Sequence, residues 1–155
     1  MVERNRTFVV TRVPARKRAT THSTISPRVA ADPPLWSATI RGEPTPQARR
    51  HDVVLTDGVA RLVKSGPARA WQSLAVPQLL HRRPARPFAL DLVLDCRFWS
   101  SQRRPPSDEA LVIEVLERAA IIAHGRQIRE KHVFAAVDSE HPRVSISLAR
   151  AGGEA

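Results

Sequence analysis

Very little in this chain can cross-link it. Its 155 residues include one cysteine, Cys96, which excludes an internal disulfide framework and any zinc site built on paired cysteines. Tyrosine is absent and aromatics make up 5% of the chain, so aliphatic side chains must build the core. No run approaches the roughly 20 apolar residues that span a bilayer. The first residues carry charge but no apolar stretch of the signal-peptide kind, so a soluble, cytoplasmic protein is expected. No P-loop, Rossmann glycine pattern or G-x-S-x-G elbow occurs. The six histidines, His22, His51, His81, His124, His132 and His141, show no metal-ligand spacing.

Acid is also scarce. Fifteen Asp+Glu face 25 Lys+Arg, a formal charge of +10, and all but Lys17, Lys64 and Lys131 of the basic residues are arginine. Guanidinium is planar, permanently charged and geometrically matched to phosphate. A polyanionic partner follows as one reading, and a solvated basic surface as the other.

Residues 1–34 form a separate zone rich in Arg, Pro, Ser and Thr, which reads as a disordered basic arm. It stands either as an inert extension or as a source of nonspecific phosphate contacts. One domain is expected over residues 35–150, with a tail at 151–155. Trp36, Ala38 and Ile40 alternate with Ser37, Thr39 and Arg41, a strand pattern. The Asp57-Gly58 step between Val53-Val54-Leu55 and residues 59–63 predicts a hairpin. Pro67 opens a helix that Pro77 should end or kink, continuation through Leu79 and Leu80 being the alternative. Phe88 to Phe98 alternates with period two and predicts a strand. Ser107 is the expected N-cap of a helix whose core stripe is Leu111, Val115, Ala119 and Ile122. Glu114 is expected to pair with Arg118, and Gly125 to end the helix. Two strands, 133–137 and 143–149, follow.

Chemistry concentrates around that second helix. Asp108 and Glu109 occupy its first turn. Arg97, Arg103 and Arg104 precede it, Arg126 and Arg129 follow it, and Arg49, Arg50 and Lys64 lie upstream. An acid at a helix start beside arginines can hold a metal ion against a phosphodiester. It can equally be a plain cap, stabilised by the helix dipole by roughly 0.3–1 kcal/mol.

Several segments resemble the RusA-like Holliday junction resolvases. Ile40-Arg41-Gly42-Glu43-Pro44-Thr45-Pro46 is similar to the family's opening strand and GxPxP turn. Leu62-Val63-Lys64-Ser65 leading to Trp71 resembles its hairpin exit. Residues 115–119 fall on its Val-Leu-Asp-Ala-Leu helix core, and Gln127-Ile128 before His132-Val133 resembles its DDxQI turn. The colinear set covers residues 36–149. The resemblance implies an α/β (α+β) domain with two main helices packed on a mixed sheet. It implies a magnesium-dependent homodimer that cuts branched DNA in recombination and repair.

The acidic signature is mostly unfilled. Its first Asp falls on Pro106, its Asn on Glu109, its Lys on Val112 and its turn Asp on Gly125; only Asp108 is retained. Magnesium needs several converging oxygens. The resemblance therefore implies a branched-DNA binder with reduced or lost nuclease activity. Arg49, Arg50, Lys64, Arg97, Arg103, Arg104, Arg126 and Arg129 are its candidate phosphate ligands. The alternative is an active endonuclease using Asp108 and Glu109, with Asp95 or Asp91 relocated to complete the metal site. A non-catalytic oligomerisation scaffold is the third reading.

Overall fold

A computed structural model describes residues 33–45, 49–101 and 108–152. The expectations for the basic arm, for Arg103 and Arg104 and for the last three residues lie outside the described residues, and the cap expected at Ser107 is instead Asp108, whose carboxylate accepts from the Leu111 amide.

The elements are β1 (Trp36–Arg41), β2 (His51–Thr56), β3 (Val59–Lys64), α1 (Gly66–Leu80), β4 (Leu92–Ser100), α2 (Glu109–Arg118), β5 (Ile128–Val137) and β6 (Arg143–Arg150). A mixed four-stranded sheet has the order β1-β6-β4-β5, and β2-β3 forms a separate two-stranded sheet. β6 runs antiparallel to β1 and β4, whereas β4 and β5 are parallel. A parallel pair needs a long crossover, and here α2 supplies it.

The period-two pattern of β4 sets the layers. Leu92, Leu94, Cys96 and Phe98 are buried on one face with Ile40, Val144, Ile146 and Leu148 of the neighbouring strands. Trp71, Ala75 and Leu79 of α1, and Leu111, Val112, Val115 and Leu116 of α2, belong to the same core. Both helices thus cover one sheet face, and Asp95, Arg97 and Trp99 alternate onto the other.

The expected hairpin forms, with Asp57 (φ 52°) and Gly58 (φ 74°) both left-handed at its turn. Two positive φ values match the twist of the flanking strands, and glycine adopts the second without a Cβ clash.

Three boundaries differ from the sequence expectation, and at a fourth the structure selects one of two readings. α1 continues through Pro77 to Leu80 rather than ending at the proline. Its last turn is held by buried Leu79 and by Gln78, whose amide donates to the Arg41 carbonyl at 3.2 Å and whose oxygen accepts from the Arg41 amide at 2.9 Å. These contacts outweigh the one backbone bond that proline forfeits. β4 begins at Leu92 rather than Phe88, because the Phe88 backbone is taken by Ile121 and Ala123 beyond α2. α2 stops at Arg118, before His124-Gly125. Ala120 turns left-handed at φ 54°, the Ile121 amide donates back to Leu116, and the Ala120 amide donates to Glu117. This is a Schellman ending with alanine in the usual glycine position, so the sequence carried no glycine to mark it. β5 begins at Ile128, earlier than expected, where it joins β4.

Candidate nucleic-acid interface

Asp108 is 1% exposed and caps α2, its Oδ1 accepting from the Leu111 amide at 3.1 Å. The same oxygen accepts from Arg50 Nη1 at 2.7 Å, and the Arg50 side chain is itself only 18% exposed. Asp108 Oδ2 and Arg50 Nε are buried with no hydrogen-bond partner among the described residues. A buried carboxylate survives only where a charge partner offsets its desolvation, and Arg50 fills that role. Arg50 stands one residue before β2, and its carbonyl accepts from the Ser65 amide at 2.8 Å, closing the base of the hairpin.

A second polar cluster lies beside it. Lys64, at the end of β3, donates to Glu114 of α2 and to Gln72 Oε1 of α1. Gln72 is fully buried; its amide donates to Glu114 at 2.7 Å, and its oxygen also accepts from Arg118 at 3.1 Å. Glu114 and Arg118 therefore meet through Gln72 rather than as the helical pair the spacing suggested. Burial pushes the Glu114 carboxyl up, but hydrogen bonds from Lys64 and Gln72 and the nearby Lys64 and Arg50 charges hold it below its usual value.

The remaining carboxylates have separate partners. Asp95 accepts from Arg97 at 3.5 Å on the sheet face away from the helices. Asp91 pairs with Arg129 at 3.0 Å, and Glu109 with Lys131 at 3.6 Å. Among the described residues, no group of three His, Cys, Asp or Glu side chains is placed to hold a metal ion. The donors present do not fit the resolvase magnesium site: Asp108 offers one oxygen free of hydrogen bonds and faces an arginine.

The basic residues fall into three groups. Arg49, Arg50 and Lys64 sit at the hairpin base, Arg50 and Lys64 turned toward carboxylates and Arg49 exposed. Arg97 lies on the open sheet face, its guanidinium 5.4 Å from the Phe134 ring centroid; on the same face Arg143 lies over Trp99 at 4.3 Å. Arg126 and Arg129 line an open depression of about 720 Å³ with His124, Gly125, Asp91 and Glu117. The first group meets α2 at Glu114 and at its Asp108 cap, and the depression of the third group reaches the same helix at Glu117.

Sequence reasoning missed Gln72, and it noted Gln127 only as part of a turn, without its bonding role. Gln127 is 8% exposed. Its Oε1 accepts from the amides of Ala123 (3.1 Å) and His124 (2.9 Å), and its Nε2 donates to the carbonyls of Phe88 and Leu90, both at 2.9 Å. It fastens the entry of β4 to the turn after α2. For Gln72 a signal was present: it shares a helical face with Trp71, Ala75 and Leu79, so a polar group was bound for the core.

Comparison with models of known protein families finds no match, and no curated protein matches the chain either.

Proposed function

We propose that this chain is a RusA-like protein that binds branched DNA as a homodimer and does not cut it. One observation carries the reading: Asp108, the single acid of the resolvase signature that the sequence keeps, is buried as a helix cap and ion-paired with Arg50. A magnesium-dependent nuclease needs open, converging carboxylates there. An arginine at 2.7 Å takes the place a cation would occupy. The order of elements, strand, hairpin, helix, strand, Asp-led helix, strand, strand, supports the resemblance.

In this reading Arg49, Arg97, Arg126 and Arg129 contact phosphates, joined by Arg103 and Arg104, which precede α2 in the chain. Arg50 holds the buried Asp108, Lys64 holds the half-buried Glu114, and both pairs shape the surface. The Arg129–Asp91 pair is exposed on both sides and exchanges readily for a phosphate. Such contacts position the protein and carry no base information, which suits a ligand recognised by its branch.

The test is a gel-shift titration of a synthetic four-way junction against linear duplex of equal length, over a salt series, with magnesium and manganese arms. The expected result is junction-selective binding that weakens steeply with salt, with every strand intact. Salt-independent or absent binding overturns the reading. Metal-dependent cleavage abolished in Asp108→Asn replaces it with a working nuclease.

A further inference from the structure

The hairpin is the least expected surface of the molecule. Val53, Leu55 and Leu62 are 69%, 74% and 68% exposed. The register pairs Val53 with Leu62 and Leu55 with Ala60, so all four side chains stand on one face of the two-stranded sheet. Between its two ends that face carries no charged side chain. His51 and Lys64 share its parity at the base, and Lys64 is held by Glu114 and Gln72. The opposite face is mixed, with Asp52, Thr56 and Arg61 beside Val54, Val59 and Val63.

The arm is also firmly held. The Arg50–Asp108 pair, the Lys64–Glu114 pair and the Ser65–Arg50 backbone bond tie its base to both helices. An isolated two-stranded hairpin is marginal in water, and one apolar over a whole face needs a cover.

We infer that this face is where two copies of the chain associate, the hairpins packing face to face and antiparallel about a two-fold axis. Charge selects the partner and the direction. An apolar face repels phosphate, and an arm led by Asp57 does not enter a lipid surface first. Asp57 is at the tip, and exposed Arg49 and His51 are at the base. Antiparallel packing sets each acidic tip on the other copy's basic base, whereas parallel packing sets Asp57 on Asp57. A surface that complements itself in this way fits an isologous contact. It also offsets the repulsion between two bodies of formal charge +10. The inference rests on the two-copy assembly of the proposed function but not on its DNA ligand.

Sedimentation velocity of the full chain without DNA, over a concentration series, tests it. The wild type sediments as a dimer, and Leu55→Lys and Leu62→Lys each sediment as folded monomers by circular dichroism. Leu74→Lys, at an equally exposed leucine on α1 (67%), stays dimeric. A monomeric wild type overturns both the two-copy assembly and this inference. A dimeric wild type whose hairpin variants remain dimeric overturns the inference alone, and the gel shift reports separately on DNA. For direction, a mixture of Asp57→Cys and His51→Cys chains cross-links between the two under oxidation, while Asp57→Cys alone does not. Cross-linking of Asp57→Cys to itself overturns the antiparallel arrangement.

Discussion

Arg50 donates to Asp108 across 2.7 Å, joining the base of an exposed hairpin to the first turn of a core helix. The same carboxylate oxygen caps that helix through Leu111. One side chain thus fixes a helix start and the direction of an arm, and neither task leaves it open for a cation.

Breaking this pair from either side is expected to destabilise the fold more than a surface ion pair does. Arg50→Ala strands a buried carboxylate and costs about 3–5 kcal/mol. Asp108→Ala removes the partner and also the cap, the latter worth about 1 kcal/mol. The double variant is expected to lose less than the sum, because each single change already removes the shared interaction. Urea denaturation of the four proteins checks this. Additive losses would mean the pair is not coupled.

Gln127→Ala is expected to cost about 2–4 kcal/mol, because it leaves two amides and two carbonyls without their partner. Gln127→Glu keeps the acceptor and loses the amide donors to Phe88 and Leu90, so it is expected to fall short of the wild type as well. Hydrogen exchange at Ala123 and His124 is the direct readout: protection there drops in Gln127→Ala and persists in Gln127→Glu.

Acid weakens the join between the helices and the hairpin. The folded Glu114 carboxyl titrates below its ordinary value of 4.5. The stability it contributes is therefore fully present above that value and is lost as pH falls through the lower, folded value. Glu114→Gln is expected to be less stable than the wild type at neutral pH, with the gap closing in acid. Thermal denaturation across pH measures both limbs; a constant gap would show that Glu114 has no part in the acid response.

Cys96 is expected to resist alkylation in the native state. Burial, aided by the nearby Asp95 and Glu109 charges and opposed by Lys131, pushes its thiol up to about 12. The thiolate is the reactive form, so labelling at neutral pH waits for unfolding. Its rate is expected to track denaturant concentration. Fast labelling of the native protein would show that the core around β4 opens on its own.

The elements that the sequence announced are those that carry their own local cause. Alternation marked β1 and β4, the Asp57-Gly58 step marked the hairpin, and Pro67 marked the start of α1. Boundaries set by distant partners were not legible: α2 ends on a left-handed alanine, and β4 starts late because Phe88 bonds to the segment after α2. The site divides in the same way. Asp108 at a helix start could be read from its position, because capping is local. Its match to Arg50, 58 residues away, could not. Nor could the meeting of Lys64, Gln72 and Glu114 from three separate elements.

The sequence by itself determined the mixed α and β content and the arginine-rich, acid-poor charge, because periodicity, turn chemistry and composition act over a few residues. Only the tertiary structure decided what each charge faces. Burial makes an unpaired ion costly, so long-range packing assigned Arg50 to Asp108 and Lys64 to Glu114. It also left the apolar face of the hairpin in water, because both helices cover the other sheet.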